Sequence, residues 1–170
     1  MSDKSGDKSS DMPSRPDAGP RIFLVVVDDT EEMSVALHYA ARRARNSGGR
    51  VALLYVIEPG ELQHFGAIEE LMRAESRDDA EQLMQRLAKQ VVELCGSVPV
   101  LYIREGHRRD ELLNLIAEEP SISILVLAAG TGSAGPGPLV SYIVGRMNTL
   151  RIPVTVVPGN LSPGELDAVT

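Results

Sequence analysis

Tryptophan is absent from this 170-residue chain, cysteine occurs once and phenylalanine twice. With Cys95 alone, neither an intramolecular disulfide nor a thiolate cluster for a metal can form, which fits a reducing cytoplasm. The six aromatics (Phe23, Tyr39, Tyr55, Phe65, Tyr102 and Tyr142) leave the core to Leu, Val, Ile and Ala. No apolar run approaches the roughly 18 residues of a membrane span. The N-terminus lacks the apolar centre of a signal peptide, so export is not expected. Basic charge is short as well: 17 Lys and Arg against 24 Asp and Glu give a net charge of −7. Nucleic-acid binding draws on basic surface to displace counterions, and this balance argues against it. What remains is the composition of a globular domain, 43% hydrophobic and 24% charged, at a length where one domain is the default.

Residues 1–20 hold only two Met and one Ala among the apolar types and read as a disordered tail. After Pro158, Gly159, Asn160, Ser162, Pro163 and Gly164 suggest a second tail over 159–170, leaving a folded unit at 21–158. Within it, Ile22 to Val27 is a continuous apolar run of the kind shown by a buried parallel strand. Thr30 offers a helix N-cap, and Met33, Leu37, Ala40, Ala41 and Ala44 recur at helical spacing up to Gly48 and Gly49. Val51 to Ile57 predicts a second strand, followed by a long acidic helical stretch with a break or bend at Glu75 to Asp79. Further strands are predicted at Val98 to Ile103, Ile122 to Ala129 and Ile152 to Val157, with helices at Glu111 to Glu118 and Pro138 to Leu150. Strands alternating with helices imply a parallel sheet covered on both faces.

In such a sheet ligands bind beyond the carboxyl ends of the strands, where the strand order reverses. Two loops there stand out: Asp28-Asp29-Thr30 after the first strand, and Gly130 to Pro138 after the fourth. A glycine-rich turn entering a helix offers backbone amides to phosphate, and a carboxylate opposite it suits a ribose hydroxyl. The stretch from Pro120 to Pro158 contains no Asp or Glu, so the segment expected to face phosphate is free of carboxylates.

Val25 to Glu31, Arg104-Glu105-Gly106, Ile124 to Gly130 and Pro153 to Pro158 resemble, in order, the segments of the universal stress protein family. The resemblance spans 21–158. It implies a Rossmann-like, adenine nucleotide alpha hydrolase-like sheet of order 3-2-1-4-5 and a homodimer paired through the last strand, Ile152 to Val157. Many members bind ATP, with Mg²⁺, through a loop of Gly, two residues, Gly, nine residues, Gly and then Ser or Thr. Gly132, Gly135 and Gly145 keep that spacing, with Arg146 in place of the hydroxyl residue. Counting back from Pro153 instead puts Val140-Ser141 at the Gly-Ser position. By resemblance, Asp28 holds the nucleoside, the Val56 backbone lies near the base, and Gly130, Gly132, Gly135 and Ser141 surround the phosphates.

Three functions follow: a cytoplasmic, dimeric nucleotide-binding stress sensor or regulator; a dimeric interaction module that no longer holds phosphate; and a weak phosphoanhydride hydrolase. The last lacks an evident base and acidic metal ligands, so the reading is of a non-enzyme. Structural readings stand beside these. Asp28 also suits a turn, the glycine loop a plain connector, and His38 a solvated helix face. His64 falls in a loop. His107, Arg108 and Arg109 crowd the start of the third helix, where the helix dipole disfavours positive charge; they are either an exposed cluster or an anion site.

Overall fold

The computed structural model describes residues 19–59 and 67–170. Along the chain run β1 (Ile22–Val27), α1 (Met33–Ser47), β2 (Arg50–Ile57), α2 (Ala67–Cys95) and β3 (Val100–Glu105). There follow α3 (Arg108–Glu118), β4 (Ile122–Ala129), α4 (Pro138–Val144), β5 (Val154–Pro158) and α5 (Pro163–Val169). The five strands form one parallel sheet of order β3-β2-β1-β4-β5. Every residue of β1 is buried, because as the central strand it is covered on both faces. Its alternation divides the core in two. Phe23, Val25 and Val27 pack under α1, α2 and α5, while Leu24 and Val26 pack under α3 and α4. Between β1 and β4 the register slips at Ile22/Phe23, and the Ile22 amide donates to Ser123 Oγ there instead of continuing the ladder. No helix among the described residues is long and apolar enough to cross a membrane.

Several sequence expectations need correction. Thr30 does not cap α1: its hydroxyl and amide both donate to Asp28 Oδ1, and α1 starts at Met33 without a side-chain cap. The bend expected at Glu75 to Asp79 is absent, and α2 runs unbroken for 29 residues. Glu69–Arg73 and Arg77–Glu81 pairs bridge its turns, and both arginines also reach Glu105 on β3. Opposite charges four apart hold a polar helix where no core does. α4 is shorter than expected, ending at Val144, and α3 begins earlier, at Arg108. Residues 1–18 and His64 lie outside the described residues.

The expected C-terminal tail contains α5. Ser162 and Glu165 close a capping box, and Leu166, 2% exposed, inserts into the α1–α2 core. Asp167 accepts from His38 Nε2 at 2.9 Å and from Arg42 Nε at 2.7 Å, so His38 is a docking residue rather than a solvated one. The hydrogen bond from His38, with those from Arg42, holds the Asp167 carboxyl below its ordinary range. The Ser162 amide and hydroxyl do the same for Glu165. Depressed carboxylates stabilise the fold above their unfolded pKa values, and that stability disappears as pH falls through the folded values. Acidification below about pH 4 is therefore expected to detach α5 first. Hydrogen exchange at pH 6 and pH 3 checks this: α5 amides should lose protection before those of β1, and simultaneous loss would refute it.

Candidate functional site

β1 and β4 lie side by side at the point where strand order reverses, and their carboxyl ends open on a crevice of about 110 Å³. One wall is Asp28, Thr30 and Glu32; the other is Pro136 to Val140, entering α4. Asp28 Oδ1 accepts the Thr30 amide at 3.0 Å and its hydroxyl at 2.6 Å, an Asx turn that fixes the carboxylate at the rim. The glycine loop folds on itself. The Gly130 amide donates to Pro136 O and the Gly135 amide to Gly132 O, while Gly135 and Gly137 take φ values of 93° and 97° that favour glycine. Two amides are thus consumed internally, and Pro136 and Pro138 have none to give. The Ser141 amide also donates to Gly137 O, which leaves Leu139 and Val140 at the open end of a seven-residue helix.

Beside the crevice, a groove of about 600 Å³ runs between the start of α3 and α4. Arg108, Pro138 and Leu139 line both spaces and form the wall between them. The Arg108 amide donates to Glu58 Oε1 at 3.0 Å, and its Nη2 lies 3.4 Å from Glu58 Oε2. Its Nε is buried with no acceptor among the described residues. Arg109 and Arg146 both stack on Tyr142, 4.9 and 4.3 Å from the ring centroid.

Of the residues singled out in the sequence, Asp28 lines the crevice. Gly130, Gly132 and Gly135 shape the loop without lining it. Ser141 is exposed, donates its hydroxyl to Gly137 O and does not itself line the crevice. Val56 is 2% exposed, in the core beneath α3 and α4. Arg104 is structural: it bonds Glu118 at 2.6 Å and Glu111 at 3.4 Å, and the Glu118 hydrogen bond raises its pKa while lowering that of Glu118. Sequence reasoning missed Glu32 and Tyr142. The signal it did register was the cationic start of α3, and Arg108 is the charged residue shared by both cavities.

A search of curated proteins finds no match. Solved structures match over nearly their whole length. A universal stress protein from Lactobacillus plantarum is 18% identical with a TM-score of 0.65, covering 81% of this chain and 97% of its own. A universal stress protein family member from Arabidopsis thaliana with AMP bound is 15% identical, TM-score 0.58, with 85% and 99% covered. A universal stress protein from Archaeoglobus fulgidus in complex with dAMP is 16% identical, TM-score 0.53, with 82% and 98% covered. These likenesses establish the fold. The model of the universal stress protein family matches residues 20–158. With that match covering well over half its length, the chain belongs to the universal stress protein family.

Proposed function

We propose that the protein binds an adenine nucleotide, ATP included, at the Asp28 crevice, and serves in the cytoplasm as a sensor or regulator rather than an enzyme. The observation that carries this is the meeting of Asp28 and the loop–α4 segment across one crevice at the switch point. Asp28 Oδ2 accepts no hydrogen bond among the described residues, and Glu32 stands beside it, so the rim offers carboxylate oxygens to ribose hydroxyls. AMP and dAMP in the Arabidopsis and Archaeoglobus relatives support the ligand class. The crevice holds about four waters' worth of space, enough for a sugar but not for a whole nucleotide. The ligand must extend past Arg108. Mg²⁺ would enter on the phosphates, whose oxygens and water would supply most of its ligands. The inward-turned loop amides favour a second reading, an interaction module without nucleotide.

Calorimetric titration separates the two. AMP or Mg-ATP is expected to bind with Kd below 1 mM on the order of −4 kcal/mol or better. Asp28→Asn, whose amide keeps the turn, should weaken binding about tenfold by removing a charge-assisted bond. No binding at millimolar nucleotide would leave the interaction module.

The same proposal includes a homodimer through β5, whose outer edge has no strand partner among the described residues and whose Val156 is 39% exposed. Val156→Glu should convert the dimer to monomer by sedimentation; a dimer that persists places the interface elsewhere.

A further inference from the structure

We infer that the groove between α3 and α4 is a polyphosphate site, in which Arg109 and Arg146 hold the phosphoryl chain and Arg108 joins it to the crevice. Charge is segregated between the two cavities. The crevice rim carries the carboxylates Asp28 and Glu32, suited to hydroxyl donors and repellent to phosphate. The groove gathers three guanidinium groups in a chain whose net charge is −7. Of its two carboxylates, Glu58 is engaged by Arg108 and Asp110 makes no ion pair among the described residues. Arg109 and Arg146 converge on one Tyr142 ring, and neither has a carboxylate partner among the described residues. An anion that meets both guanidinium groups offsets their mutual repulsion and takes up their paired N–H donors.

Two further observations point the same way. The buried Nε of Arg108 is a donor without an acceptor, in the one charged side chain that lines both spaces. A phosphoryl oxygen passing the wall supplies that acceptor. Two amides of the glycine loop are turned inward and two of its positions are proline, so fewer backbone donors face a phosphate and side chains take up the charge. The groove, about 600 Å³, is also of a size that takes a ligand, unlike the crevice alone. The occupant is either the phosphoryl chain of a nucleotide whose sugar sits at Asp28, which deepens the nucleotide reading, or free inorganic polyphosphate with the same chemistry.

Titration of the full chain with AMP, ATP and inorganic tripolyphosphate, repeated on Arg109→Gln/Arg146→Gln, distinguishes these. The pair is exposed, so thermal unfolding should match that of the parent and show that the variant is folded. ATP is expected to bind at least tenfold tighter than AMP, with the ratio falling near one in the double variant, and tripolyphosphate should compete with ATP. Tripolyphosphate binding that is lost in the double variant, without AMP binding, would support the groove and overturn the nucleotide reading. AMP binding with ATP no tighter, or an ATP advantage unchanged in the double variant, would overturn the groove and leave the nucleotide reading intact. No binding of any of the three overturns both.

Discussion

Replacing Arg151 with Ala is expected to lower the unfolding free energy by about 3 kcal/mol, although the residue touches neither cavity. Its guanidinium group places all five of its N–H donors on four carbonyls. Nε and Nη2 donate to Ile116 O, Nη2 also to Glu119 O, and Nη1 to Pro120 O and Ile122 O. Ile116, Glu119 and Pro120 are at the end of α3, where carbonyls lack helical partners and the dipole favours positive charge. Pro120 prevents the helix from continuing, so a side chain must supply the donors. Ile122 opens β4, so one arginine ties the end of α3 to the strand that carries half of the crevice. Charge-assisted bonds contribute about 1.5–3 kcal/mol each, and water replaces those that are exposed. The net loss should lower the melting temperature by on the order of 10 °C. Arg151→Lys, with three donors from a point charge, should recover only part of it. Urea unfolding with an unchanged slope would measure this, and a loss under about 1 kcal/mol would refute the clamp.

Arg151 also marks a boundary of what the sequence discloses. From the chain alone it is one of two cations in an acid-free stretch, because its partners are carbonyls from another segment about thirty residues away. The strands were legible for the opposite reason. Ile22 to Val27 is buried throughout, and burial on both faces of a parallel sheet writes an unbroken apolar run into the sequence; Ile122 to Ala129, half of it buried, is apolar but for Ser123. The length of α2 was not legible, because it is sustained by Glu–Arg pairs rather than by an apolar stripe: its buried residues begin only at Ala80. α5 left a signal that the glycines and Pro163 obscured, the Ser162-x-x-Glu165 spacing of a capping box.

The site divides along the same line. Asp28 sits directly after an apolar strand, and topology alone carries it to the switch point. Val56 follows the same logic from the adjacent strand: the pleat turns its side chain into the core, and the expectation concerns its backbone alone. Tyr142 and Arg146 come into the groove only because α4 packs beside the start of α3, a relation fixed by tertiary packing and not by any spacing in the chain. Glu32 stands ahead of α1 with no motif around it to mark it as a site residue. Gly159, from the far end of the chain, lies against it so closely that an added Cβ would come within 2.8 Å of Glu32 Cβ.

Gly159→Val is expected to destabilise the protein by about 3 kcal/mol, the upper part of the range for overpacking. The Gly159 amide donates to Ala129 O at 3.1 Å, closing the end of β5 onto the end of β4. A Cβ at this position would collide with Ala129 O and come within 2.8 Å of Glu32 Cβ. Neither neighbour yields easily. Ala129 is held in register opposite Pro158, and the Glu32 carbonyl accepts the Val35 and Ala36 amides that start α1. Relief therefore requires moving the β5 exit, which carries α5 away from His38 and Arg42, or moving Glu32, which reshapes the crevice rim. Either way nucleotide affinity should fall along with stability, a coupling that Arg151→Ala should not show. Gly164→Ala provides the control: within α5, with nothing within 4 Å of its Cβ, it should leave stability unchanged or raise it by about 0.5 kcal/mol. Thermal unfolding of both variants tests the contact, and a Gly159→Val protein within about 1 kcal/mol of the parent would show that the β5 exit and α5 are free to move apart.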